Sequence, residues 1–342
     1  MEYDIPINNA RLCILGAGAF GTAMAIHFAR LGHTVRLWGR DREAMDRMQA
    51  ERINRRRLPG IQLPELVLAT SDLEVALGGI DLVIVALPTQ KMRSVLTGLK
   101  DRWPQHNGVR VGAVSIGKGI ELETNLRTTE IIEQSLGAGV PIGGLWGPTL
   151  AYEVAVGRPA AMVTAAKDPE FAHKVQLVAM GPTMRVYTND DLVGVEISGA
   201  LKNVVAIAAG ICDGLGMGEN SKASLVTRGL TEISRFGREL GGKSRTFMGL
   251  CGMGDLMLTC YSPRSRNYNV GLGVGKGENL DRVLARLDAV AEGVSTVRSV
   301  TSQAAKFGIE MPIASAVQAI LIDGKDLKAS IQDLMTRTPK DE

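Results

Sequence analysis

Aromatic residues are scarce: Phe, Trp and Tyr together make up 4% of the chain. A core made from this sequence therefore rests on Ala, Val, Ile and Leu, and its 40 glycines let helices and strands pack closely. Cysteine is sparse as well. The four, at positions 13, 212, 251 and 260, form no CxxC pair and have no zinc-site spacing. That excludes a disulfide-stapled secreted module and fits a reducing cytoplasmic compartment. Cys13 and Cys212 read as small buried apolar residues. No metal site is expected.

Neither charge sign dominates. The 39 Lys and Arg against 36 Asp and Glu leave a net charge of +3. The basic residues are spread along the chain and form no stripe, so nucleic acid is not an expected partner. Long hydrophobic runs are missing too. The longest near the middle, residues 204–212, falls well short of the ~18–20 residues a membrane span needs. The opening MEYDIPINNARLCILG has no basic region ahead of an apolar one and does not read as a signal peptide.

What is present is alternation. The 342 residues suggest two domains at ~100–200 residues each. Short β-rich runs at 11–15, 34–38, 66–69, 82–86, 111–115 and 142–146 alternate with helix-like stretches such as 20–31, 92–100 and 124–136. This order predicts a parallel sheet covered on both faces. Runs at 161–165 and 183–188, flanking a helical stretch at 170–179, extend the same sheet. Past Asn189–Asp191 the pattern turns to long helices broken by glycine-rich loops. The expectation is an α/β dinucleotide-binding domain at 1–190 and an all-α domain at 191–342.

Gly16, Gly18 and Gly21 stand in GxGxxG spacing. Alone the motif is weak, but here it closes an apolar strand and opens a helix, with a second strand following. Gly16 permits the tight turn, Gly18 admits a pyrophosphate close to the backbone, and Gly21 lets helix and strand pack. At the end of the second strand, where an NAD site places an acid, stands Arg40, followed by Asp41. Arginine suits a 2′-phosphate, so the cofactor is NADP(H) or NAD(H), with a lean to NADP(H). An ordinary surface arginine is the competing reading. The run Arg55, Arg56, Arg57 reads as a solvated face.

Chemistry concentrates in the second half. Lys202 and Asn203 interrupt an otherwise small, apolar helical stretch, where the neighbours of Lys202 at helical spacing are Ser198, Gly199, Val205 and Ala206. A lysine on such a face is usually paired or functional, and burial readily depresses its pKa. Gly252 and Gly254 present Asp255 at a helix start, where it is either a cap or a site residue. Ser265, Arg266 and Asn267 open a further helix and could hold a phosphate, or Ser265 could simply cap it. Lys118 follows the carboxyl end of a strand, where ligands of open parallel sheets bind. The loop GPTLAYEVA lies at the same edge.

These residues resemble a known family. GAGAFGTAMA, LWGR, KGIE, GPTLAYEVA, GALKNVVAIAAGICDGLGMGEN, TRGLTE, GLCGMGDLMLTC, SRN and AEGV are similar to bacterial NAD(P)-dependent glycerol-3-phosphate dehydrogenase, in that family's order along the whole chain. The resemblance implies a Rossmann-type N-terminal domain and a helical C-terminal domain like that of 6-phosphogluconate dehydrogenase. It implies reduction of dihydroxyacetone phosphate to sn-glycerol 3-phosphate, supplying glycerophospholipid synthesis, in a cytoplasmic homodimer. It implies Lys202 as the catalytic proton donor or acceptor. Lys118, Gly147, Thr149, Lys202, Asp255, Ser265, Arg266 and Asn267 would contact the substrate. Ala19, Phe20, Arg40, Lys118, Ala151, Arg266, Val290 and Glu292 would contact the cofactor. Ala19, Leu150 and Tyr152 stand where the family commonly has Ser, Phe and Lys. Two other readings remain open: a related dehydrogenase of a 3-hydroxy acid or sugar acid, and an NADP(H)-binding redox sensor without turnover.

Overall fold

The computed structural model describes residue 7 and residues 9–287 and 290–338. The chain forms two compact units. One takes the chain up to Gly117 and then Thr128–Leu192; the other takes Lys118–Arg127 and the chain from Val193 on. A single cut at 190 does not separate them, because Lys118–Arg127 belongs with the later residues.

The first unit is built on an eight-stranded sheet: β1 Arg11–Leu15, β2 Thr34–Trp38, β3 Val67–Thr70, β4 Leu82–Val85, β5 Gly112–Ser115, β6 Ile142–Trp146, β7 Ala160–Ala166 and β8 Met184–Asn189. The strand order is β8-β7-β6-β5-β4-β1-β2-β3. All residues of the central β4, LVIV, are buried, as in a strand covered on both faces. The edge strand β8 begins with buried and exposed residues in alternation. Each strand lies within one residue of its sequence expectation at either end. The sheet is not wholly parallel, however, because β7 runs antiparallel to β6. The helix between them, Ala151–Ala155, has five residues. At 1.5 Å per residue it spans about 8 Å, too short to carry the chain back along a strand of about 16 Å.

Two helix starts also differ from expectation. The stretch expected from 92 begins at Thr89, with Pro88 as its N-cap, and runs to Thr97, with Gly98 as its C-cap. The one expected from 124 begins only at Thr128. Glu123 and Asn125 have φ of 67° and 58°, a left-handed backbone that no α-helix contains.

The second unit is helical; among the described residues its only β pairing is the isolated bridge Ile120–Arg127. Its centre is the helix Leu192–Gly214, which packs Leu201, Val204, Ile207 and Ile211 against Leu230, Phe236, Phe247 and Val297. This helix exceeds the apolar run read from the sequence. It has 23 residues, and its most apolar 18-residue window has a mean hydropathy of 1.6, enough to cross a membrane by length and composition. Since 89% of that window is buried within the protein, it is a core helix.

Glycines set how closely its neighbour approaches. A β-carbon at Gly210 would overlap the Tyr268 carbonyl oxygen, and one at Gly271 would overlap that of Ile207. One turn further on, Gly214 and Gly275 meet in the same way. The helices Leu192–Gly214 and Arg266–Gly275 therefore touch backbone to backbone, and no side chain there can move aside. Gly271→Ala is expected to destabilise the protein by about 2 kcal/mol through overpacking, seen as a fall of roughly 4–8 °C in melting temperature. An unchanged melting curve would show that the helices can separate.

Candidate active site

In the first unit, the turn after β1 places Gly16 at φ 122°, where a β-carbon would also overlap the Ala86 carbonyl oxygen. A β-carbon at Gly21 would overlap the Gly16 carbonyl oxygen, so helix Ala19–Arg30 lies directly on the turn. Gly18 is the N-cap of that helix, and no side chain caps it. A β-carbon at Gly18 would meet nothing within 4 Å. An uncapped helix start beside open space at a glycine fits a dinucleotide pyrophosphate. Ala19 and Phe20 open the first turn.

The turn is fastened from below by Asn54. Its Nδ2 donates to the Ala17 carbonyl at 3.0 Å and to Thr22 Oγ1 at 2.8 Å. This buried asparagine lies next to the arginine run, and nothing in the sequence signalled its role. Arg55 is ion-paired with Glu51 on an exposed face. Arg40 is exposed past the end of β2, whereas the Asp41 carboxylate caps the next helix by accepting from Ala44 N at 3.1 Å. Gly147, at φ 153°, follows β6, and Thr149 Oγ1 donates to the Gly147 carbonyl at 3.1 Å. Ala151 begins the short helix beyond. Since β1, β2 and β6 run the same way in the sheet, the glycine turn, Arg40 and the Gly147–Ala151 loop share its carboxyl edge.

In the second unit, Lys118, Lys202 and Asp255 come together. Asp255 is 1% exposed and bridges both lysines. Lys118 Nζ donates to Oδ2 at 2.7 Å, and Lys202 Nζ donates to Oδ1 at 2.7 Å. Lys202 also donates to Thr259 Oγ1 at 2.6 Å, while the Thr259 hydroxyl donates to the Asp255 backbone carbonyl at 2.6 Å. Two of the three N–H donors of Lys202 are thereby engaged. Asp255 is not the cap of its helix: Gly254 is the N-cap, and the π-turn Leu250–Gly254 feeds Asp255 into the first turn. Thr259, which the sequence reading passed over, stands four residues on, hence on the same helix face. Asn203 holds the loop from which Lys118 projects, donating to the Lys118 carbonyl at 3.0 Å.

Two ammonium groups share one carboxylate. Burial lowers the Lys202 ammonium to about 8, with Asp255 opposing the shift and the Lys118 charge adding to it. Cys251 and Cys260 are pushed up to about 12, chiefly by burial, and stay thiols.

The Ser265–Asn267 triplet opens helix Arg266–Gly275. Ser265 is the N-cap, its Oγ accepting from Tyr268 N at 3.2 Å. Asn267 is buried, and its Oδ1 accepts from Gly293 N at 3.0 Å, which turns its NH2 the other way. Arg266 is exposed at the helix start. Gly293 also packs against the Asn203 carbonyl, so the start of helix Glu292–Phe307 is tied to both asparagines. Glu292 is that helix's first residue, and Val290, 48% exposed, lies just ahead of it.

Comparison with known proteins gives concordant matches. The model of the NAD-dependent glycerol-3-phosphate dehydrogenase N-terminus matches residues 11–172, and that of the C-terminus matches residues 191–332. The chain is 44% identical over 333 residues to a glycerol-3-phosphate dehydrogenase [NAD(P)+] of Dechloromonas aromatica, covering 97% of this chain and 99% of the relative. It is 46% identical over 334 residues to one of Salinibacter ruber, covering 97% and 96%. Among solved structures, the crystal structure of glycerol-3-phosphate dehydrogenase from Coxiella burnetii superposes with a TM-score of 0.91 at 37% identity, covering 96% of this chain and 99% of that one.

Asp255→Asn would leave the Lys118 and Lys202 ammonium groups facing each other without the carboxylate that holds both. Thermal or denaturant unfolding is expected to show a loss of about 3 kcal/mol or more, with part of it recovered in the double variant that also carries Lys202→Met. Full stability in Asp255→Asn alone would mean that the carboxylate does not hold the lysines.

Proposed function

Because this chain belongs to the NAD-dependent glycerol-3-phosphate dehydrogenase family, we propose that it reduces the central ketone of dihydroxyacetone phosphate to the alcohol of sn-glycerol 3-phosphate, reversibly, with Lys202 handing over the proton. The observation that carries this reading is the Lys118–Asp255–Lys202 cluster, in which two ammonium groups are held on one buried carboxylate. A charge held out of water in a fixed place stabilises a negative charge that develops beside it far better than solvent does. NADP(H) or NAD(H), bound through Gly16, Gly18, Ala19, Phe20 and Gly21, supplies the hydride.

As the carbonyl carbon is reduced, negative charge grows on its oxygen. Lys202 meets that oxygen with its third N–H and gives up the proton, leaving an alcohol and a neutral amine. In the reverse direction the neutral amine takes the proton back. An ammonium held near neutrality suits both directions. Asp255 and Thr259 aim Lys202, and Lys118 adds positive potential and contacts the substrate. Ser265, Arg266 and Asn267 hold the phosphate, with Gly147 and Thr149 as further substrate contacts. Arg40, Lys118, Ala151, Arg266, Val290 and Glu292 complete the cofactor contacts. With Asp41 engaged as a helix cap, Arg40 is the residue that meets a 2′-phosphate, which favours NADP(H). The enzyme acts in the cytoplasm as a homodimer and feeds glycerophospholipid synthesis.

The direct test is the loss of NADPH absorbance when dihydroxyacetone phosphate is added. Rapid oxidation is expected, with none for 3-keto acids that lack a phosphate; the opposite pattern would overturn the reading. Lys202→Ala is expected to lower kcat by about a thousandfold while leaving NADPH affinity unchanged. Ketone reduction needs the protonated amine, so kcat/KM should be level below about pH 8 and fall above it. A profile level to pH 10 would remove Lys202 as the donor. Arg40→Ala should raise KM for NADPH about tenfold with little change for NADH; equal effects on the two would assign selectivity elsewhere.

A further inference from the structure

One buried cation has no part in the mechanism above. Lys222 lies in the first turn of helix Glu219–Glu239, with its side chain 7% exposed. Its Nζ donates to Asp213 Oδ2 at 2.6 Å, and the same oxygen accepts from the Tyr268 hydroxyl at 2.6 Å. The ammonium also stands 4.4 Å from the centre of the Tyr261 ring and 5.1 Å from that of Tyr268, within cation–π range of both. Burial and the bond to Asp213 push the Tyr268 hydroxyl up to about 12, so it remains a donor.

Four helix ends meet at this ammonium. Asp213 comes from the end of the helix that carries Lys202, and Tyr261 is the last residue of the helix that carries Asp255 and Thr259. Tyr268 lies in the first turn of helix Arg266–Gly275. Tyr261 and Tyr268 are therefore the two ends of residues 262–267, the segment that contains Ser265, Arg266 and Asn267. One cation grips that segment at both ends, and one carboxylate ties the grip to the lysine helix.

We propose that Lys222 is a positioning residue for the substrate phosphate: held by Asp213 and facing the rings of Tyr261 and Tyr268, it fixes the Ser265–Asn267 segment in place relative to Lys202. This rests on the reading that Ser265, Arg266 and Asn267 hold the phosphate. Lys222 does not touch the substrate. Its effect falls on ligands that carry a phosphate and not on the ketone itself. Arginine at this position keeps the charge, the bond to Asp213 and the stacking on both rings.

The test is steady-state kinetics of the full-length enzyme with dihydroxyacetone phosphate and with unphosphorylated dihydroxyacetone, together with competitive inhibition by inorganic phosphate. Lys222→Met is expected to raise KM for dihydroxyacetone phosphate and Ki for phosphate together, about tenfold or more. The kcat at saturation and kcat/KM for dihydroxyacetone should stay within about threefold. Lys222→Arg should restore both phosphate-dependent constants. Tyr268→Phe, which keeps the ring and loses the bond to Asp213, should move them in the same direction by a smaller factor, and it carries the test if Lys222→Met does not fold. Equal losses for the two ketones, or a Tyr268→Phe enzyme with unchanged KM and Ki, would overturn the proposal. Absence of phosphate competition in the unaltered enzyme would instead overturn the assignment of the phosphate to Ser265–Asn267.

Discussion

A single buried carboxylate serving two ammonium groups is the constraint around which the second unit is arranged. Asp255 has two oxygens, and each accepts from a different lysine. Removing any of these groups from water is costly, and the arrangement is tolerable only with short, well-directed bonds. The flanking structure supplies that direction. A π-turn sets Asp255 into its helix, Thr259 offers Lys202 a second acceptor, and Asn203 holds the loop of Lys118. Burial at this place lowers the Lys202 ammonium, and the neighbouring Lys118 charge adds to the shift.

Rigidity around this cluster comes from small residues. Where Gly210 and Gly214 face Gly271 and Gly275, two helices meet with no side chain between them. Their register then fixes where Ser265–Asn267 stand relative to Lys202. Gly293, wedged against the Asn203 carbonyl and bonded to Asn267, ties a third helix to the same frame. The abundance of glycine noted in the composition is thus, in part, a means of holding helix ends to fixed distances.

Much of this was legible in the sequence, for identifiable reasons. Central strands such as LVIV announce themselves because both faces are covered, and the glycine turn does so because three positions each meet a separate steric demand. Lys202 stood out as a charge on an apolar helical face. What escaped notice depended on partners distant in the chain. Asn54 reaches Ala17 and Thr22 from a loop whose conspicuous feature is its arginines. Thr259 matters only once Asp255 is known to face Lys202. The reversal of β7 follows from the length of a five-residue helix. That Asp41 also caps a helix could not be read from its place beside Arg40.

The segment Lys118–Arg127 has a history set by chain order. It is flanked on both sides by residues of the first unit, yet its partners come later: Glu196 for Arg127 is 69 residues on, and Asp255 for Lys118 is 137 residues on. At ribosomal speeds of about 5–20 residues per second, Lys118 waits on the order of ten seconds for Asp255 to be made. During translation the flanking strands can pair while this loop still lacks its partners. The last helices therefore assemble onto a loop that was synthesised among the strands, and a C-terminal fragment starting at Val193 would be born without one of the two lysines of its own charged cluster.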